Sequence, residues 1–92
     1  MIYAINYDLN KPGQDYTGLY EAIRNCGEWW HFLDSHWLVD TTLSANEIWS
    51  NLSSKIDKND CVLVVGVARD FSGWLPQNAW DWINARTDKM AA

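Results

Sequence analysis

Asp8 closes the first apolar stretch of the chain, and a second group able to do chemistry, Asp34-Ser35-His36-Trp37, follows His31. A carboxylate at the end of a strand is an oxygen ligand for Mg²⁺ or Mn²⁺, ions that often need only one or two protein carboxylates. An imidazole beside such a carboxylate can act as a general base or a metal ligand, because the ring titrates near neutrality. Asp8, Ser35 and His36 are therefore the candidate catalytic residues, and Asp8 the candidate metal ligand. The plainer alternatives are an exposed acid capping the following turn and two histidines hydrogen-bonded on strands. Too few groups are present to argue a Ser-His-Asp triad.

Tryptophan is the other chemically expressive residue, with seven in 92 positions. Trp49, one step beyond Ile48 on the second helix, and Trp80 or Trp82, near Ile83 on the last, read as packing residues. Trp29 and Trp30 are adjacent on a strand, so one of them must leave the face that the other occupies. An aromatic on an open sheet face serves as an interface core, a stacking platform for a base or cover for another segment. Tyr7, Trp29, Trp30, Trp37 and Trp74 are the candidates for ligand binding or an interface. The stretch Arg69 to Trp74 reads either as a loop that closes on a ligand or as a connector anchored by Phe71 and Trp74.

These residues are positioned by a regular alternation of elements. Residues 2 to 8 alternate and are rich in Ile and Tyr, which predicts a strand; Asn10-Lys11-Pro12-Gly13 follows as a turn. Tyr16, Leu19, Tyr20, Ile23 and Cys26 are spaced as one helix face, with Gly27 as its stop. Trp29 to Leu33 and Ser35 to Thr41 predict a tight hairpin split at Asp34-Ser35. Ser44-Ala45-Asn46-Glu47 is a capping box that starts a helix through Ile48, Leu52 and Ile56. Cys61 to Val67 is a continuous apolar run, predicting a strand buried on both faces. A helix from about Pro76 to Arg86 ends the chain, with the last six residues expected to fray.

The order is β-α-β-β-α-β plus a helix: an α+β, ferredoxin-like βαββαβ sandwich with an extra C-terminal helix, its strands ordered 4-1-3-2. Residues 1–92 form a single domain, with the core in 1–67 and the loop, helix and tail in 68–92. The plan places Asp8 beside the hairpin that holds Asp34, Ser35 and His36. Within that group His36 shares the parity of Asp34, while Ser35 points the other way. Two helices cover only one face of such a sheet, so the second face needs either the C-terminal segment or a second chain.

Composition excludes several classes. Seven Lys and Arg against 12 Asp and Glu, net charge -5, argue against a general nucleic-acid binder or a surface attracted to anionic lipid. The basic residues are scattered and form no phosphate track. An apolar content of 48% with 21% charged residues is that of a globular chain. No run approaches the ~20 apolar residues of a membrane span. Met1 to Asp8 lacks the basic start of a signal peptide, so a cytoplasmic location is expected, with Cys26 and Cys61 as reduced, packed thiols.

The Tyr7 to Gly13 stretch, then Trp29-Trp30-His31, Leu33-Asp34-Ser35 and Trp37-Leu38-Val39, resembles the small CRISPR-associated adaptation subunits of the Cas-two family. It is similar also to the virulence-associated protein D toxins, and most of all to short stand-alone bacterial and phage proteins of that superfamily labelled "SinR family". The resemblance covers roughly residues 1 to 67. It implies a symmetric dimer and, in the members that are nucleases, a divalent metal held by the acid matching Asp8 across the dimer axis. Ser35 and Trp37 match the positions that begin the third strand, and a defence or counter-defence setting is implied. The arginines those nucleases carry early in the first helix and near the second strand have no match in Asp15-Tyr16-Thr17 or Glu28-Trp29-Trp30.

Three functions follow as expectations. The favoured one is a non-catalytic homodimeric binding module that takes a nucleotide-type ligand or a protein partner. The second is a metal-dependent endoribonuclease using Asp8, and the third a structural or assembly subunit.

Overall fold

A computed structural model of the chain describes residues 1–10 and 13–87. The strands are β1 (Ile2–Asp8), β2 (Glu28–Trp30), β3 (His36–Asp40) and β4 (Cys61–Gly66); the helices are α1 (Thr17–Arg24), α2 (Ala45–Leu52) and α3 (Gln77–Thr87). Every neighbouring pair of strands is antiparallel, and the sheet runs β2-β3-β1-β4, the expected order read from its other end. The chain is thus α+β, with a four-stranded antiparallel sheet and three helices. Lys11, Pro12 and residues 88–92, where part of the first turn and most of the fraying tail were expected, lie outside the described residues.

The apolar spacing of α1 and α2 decides which face they cover. Leu19 and Ile23 of α1 and Ile48 and Leu52 of α2 pack on Ile5, Trp37 and Val39 of the central strands. Each such fully buried side chain stabilises the fold by ~1.5–3 kcal/mol relative to exposure. The capping box forms as its sequence requires: Ser44 Oγ accepts from the Glu47 N–H at 3.1 Å, and Glu47 Oε1 accepts from the Ser44 N–H at 3.0 Å. The α-helix ends earlier than its apolar pattern, at Leu52, and a 3-10 turn over Ser53–Lys55 carries the chain on to Ile56. Gly27 lets the chain entering β2 pass the end of β3 closely, since a Cβ there would lie 2.2 Å from the Asp40 carbonyl oxygen.

The opposite face is covered by the C-terminal segment, and only in part. Ile83, Trp80 and Trp82 of α3 pack with Ile2, Leu38 and Trp30, while Trp29 stays on the α1 side. Arg86 fixes the far end of α3 through Glu28, through Asp40 at 3.5 Å and over the Trp82 ring at 4.0 Å. This cover stops short of β4. Val62 and Val64 pack against the α1 and α2 side, but Cys61, Leu63 and Val65 are exposed. The apolar run therefore does not mark a strand buried on both faces; it is an edge strand with one open face. For the same reason Cys61 is an exposed thiol, whereas Cys26 is buried as expected.

The hairpin also departs from its reading. The strands stop at Trp30 and resume at His36, leaving residues 31–35 as a loop that ends in a turn, with the His36 N–H donating to the Leu33 carbonyl at 3.3 Å. Asp34 and Ser35 are the central residues of that turn, so strand parity does not govern where they point.

Candidate functional site

Where β1 ends, the loop between β2 and β3 and the last turn of α1 meet around a cleft of about 400 Å³. Tyr7, Asp8, Asp34, Ser35 and Trp37 line it, together with Tyr20, Arg24 and His31. Antiparallel pairing of β1 with β3 places Asp8 beside the turn, as the strand order predicted.

The floor of the cleft is aromatic. Trp37 is 1% exposed, and its Nε1–H donates to the Tyr7 hydroxyl at 2.9 Å. The His31 ring lies on Trp37 with centroids 4.0 Å apart and planes 8° from parallel. Tyr20 stacks on Trp37 from 6.2 Å, and Trp29 leans on it at 5.2 Å. Arg24 holds its guanidinium 5.5 Å from the Trp37 ring and 5.7 Å from that of Trp29, within cation–π range.

Hydrogen bonding sets the state of two groups. His31 Nδ1 is 2.9 Å from the His36 carbonyl oxygen, which can only accept. Nδ1 therefore carries the hydrogen, and in the neutral ring Nε2 is left as an acceptor. Burial pushes the Tyr7 hydroxyl above its ordinary pKa, outweighing the opposing bond from Trp37, and the phenol donates to the Asp34 carbonyl at 3.4 Å. Arg24 adds a guanidinium to a cleft that Asp8 and Asp34 also line.

His36 leaves this group. It begins β3 with its side chain on the opposite sheet face, where Nδ1 is 2.7 Å from Asn6 Oδ1. Burial first, and the nearby His31 second, hold its pKa below 6.5. Trp30 lies on that same face, stacked with Phe32 at 5.9 Å. Trp29 flanks the cleft at 44% exposure. Trp74 is 98% exposed and anchors nothing, whereas Phe71 stacks on Trp80 at 6.3 Å. Trp49, read as a packing residue, is also exposed.

Sequence reasoning missed Arg24 as a site residue. Its signal was the spacing of Tyr16, Tyr20 and Arg24, which extends one helix face toward the hairpin. As for a metal, Asp8 and Asp34 supply oxygen donors of a suitable kind, but among the described residues no three His, Cys, Asp or Glu side chains converge as a metal-binding group. No helix among the described residues is long and apolar enough to cross a membrane.

Compared with known proteins, the chain matches no family model, no curated protein and no solved structure.

Proposed function

We propose that the protein is a small homodimeric binding module of ferredoxin-like design that takes a nucleotide-type ligand in the cleft at the end of β1. The observation that carries this reading is the Arg24 guanidinium, held on two indole faces beside His31 in a cleft that also contains two carboxylates. A nucleotide is anionic at one end and rich in N–H and O–H donors at the other. Arg24, Ser35 and the Tyr7 hydroxyl suit the phosphate; Asp8 and Asp34 suit sugar hydroxyls or a base amino group. Trp29 and His31 offer ring faces on which a base gains ~1–3 kcal/mol by stacking. The sheet order, with one helix between β1 and β2 and another between β3 and β4, supports the ferredoxin-like design. The open face of β4 supports a second copy.

The test is a titration with a nucleotide panel and single-stranded RNA, with and without Mg²⁺ or Mn²⁺, following tryptophan fluorescence and product together. Quenching by a nucleotide without turnover, weakened about tenfold or more in Arg24→Ala, is the expected result. A second reading, metal-dependent RNA cleavage, is favoured by the presence of Arg24 and Asp8 in one cleft. Mg²⁺- or Mn²⁺-dependent cleavage abolished by Asp8→Asn would replace the binding-only reading with that one.

A further inference from the structure

On the sheet face opposite α1 and α2, a second cavity of about 250 Å³ lies between β1, β3, residues 67–75 and α3. Its walls are aliphatic and aromatic, Leu38, Trp30, Phe71 and Trp80 among them, and its polar side chains are His36 and Ser72. Asn6 Oδ1 can only accept, so the 2.7 Å contact puts the hydrogen of neutral His36 on Nδ1. Nε2 is left as an acceptor on a residue that lines an otherwise apolar hole.

At the rim stands Trp74, 98% exposed, in a segment whose neighbours Ser72 and Leu75 both line the cavity. Phe71 stacks on Trp80, and Leu75 belongs to the α3 cluster, so the chain is anchored on both sides of an indole that projects into water. An apolar void of ~150 Å³ accepts a benzene ring. A cavity of about 250 Å³ suits the two fused rings of an indole. A buried indole N–H needs an acceptor, and neutral His36, one of the lining residues, carries an unprotonated Nε2. Leu33, which lines the cavity, is 45% exposed, and on β4, paired with β1 beside it, Leu63 and Val65 are 61% and 43% exposed.

We infer that this face joins two copies of the chain, each inserting Trp74 into the cavity of the other beneath the partner's Phe71. A projecting side chain and a matching hole on one face of one chain are self-complementary, and a two-fold axis satisfies both at once. The inference rests on the homodimer in the proposed function and names the surface that forms it. Each copy carries a net charge of -5, so association tightens as salt screens the repulsion.

The test is the mass of the full chain by light scattering from low micromolar to submillimolar concentration, for wild type, Trp74→Ala and His36→Ala. Trp74→Ala removes a solvated side chain, so the folded monomer keeps its thermal midpoint. The wild type is expected to dimerise, with Trp74→Ala weakening association about tenfold or more and His36→Ala weakening it less. Tryptophan emission is expected to shift to the blue with concentration in the wild type and not in Trp74→Ala. If His36→Ala fails to fold, Ser72→Phe, which fills the hole from an exposed position, replaces it and blocks association. A wild type that stays monomeric overturns both the surface and the homodimer, including one whose emission shows Trp74 buried in its own chain. A dimer indifferent to Trp74→Ala overturns the surface alone. Nucleotide quenching in monomeric Trp74→Ala leaves the reading of the first cleft standing in either case.

Discussion

The His31 imidazole lies flat on the Trp37 indole, 4.0 Å between centroids, while its Nδ1–H donates to the carbonyl of His36, the residue before that tryptophan. One side chain thus ties the loop of residues 31–35 to both the side-chain face and the backbone of β3. The loop holds Asp34 and Ser35 at the cleft because its first residue is fastened there.

His31→Phe keeps a ring on Trp37 and loses the hydrogen bond. It is expected to cost ~0.5–1.5 kcal/mol in urea unfolding. His31→Ala loses the ring contact as well and is expected to cost a further ~0.5–1.5 kcal/mol. Equal losses in the two variants would show that the stack contributes nothing.

Arg24 is exposed and contributes to the fold mainly through its two indole contacts, so Arg24→Ala is expected to cost at most ~1 kcal/mol of stability. Its effect on ligand is larger. Nucleotide quenching is expected to weaken about tenfold or more, and Arg24→Lys to restore part of it, since a lysine keeps the charge but not the planar fork. An unchanged titration in Arg24→Ala would remove the phosphate from this end of the cleft.

His36 is held neutral, chiefly by burial, with a folded pKa below 6.5. In the unfolded chain the ring titrates near ~6.5 and takes up a proton that the folded chain refuses. This contribution to stability is therefore complete above ~6.5 and declines as pH falls from there toward the folded pKa. His36→Phe is expected to lose less stability than wild type between about pH 7.5 and about pH 5.5 in denaturant titrations. Parallel losses in the two proteins would place the acid sensitivity elsewhere.

Asp60, almost fully buried, accepts from the Asn10 N–H and the Asp57 N–H, each at 2.7 Å, and from the Tyr16 hydroxyl at 2.8 Å. It joins the segment leaving β1 to the turn entering β4. Tyr16→Phe is expected to cost ~1–3 kcal/mol, because a buried acceptor loses a hydroxyl donor. Asp60→Asn, which turns an amide donor toward these donors, is expected to cost more. A thermal midpoint unchanged in both variants would mean that the carboxylate is dispensable.

Local chemistry was legible along the chain. The capping box at Ser44 and Glu47, the helical spacing of Leu19 and Ile23, and the alternation in residues 2 to 8 each depend on neighbours within a few positions. The same local signals misled where long-range packing overrode them. The run from Cys61 to Val65 is apolar on both parities, yet α3 reaches only as far as Ile2 and Leu38, and half of the strand faces water. Asp34 and His36 are two residues apart, but one lies in a turn and the other on a strand, so they serve opposite faces.

The sequence by itself determined the elements, their order and the neighbourhood of Asp8 with the hairpin, because spacing, caps and strand pairing set these. Only the tertiary structure decided which groups share the cleft. Arg24 enters it through the pitch of α1, His31 through a ring stack with Trp37, and His36 leaves it through the registry of β3 with β1. Those placements depend on the angle at which a helix meets the sheet and on where a loop returns to it. Both are set by packing between residues far apart in the chain, which no local spacing encodes.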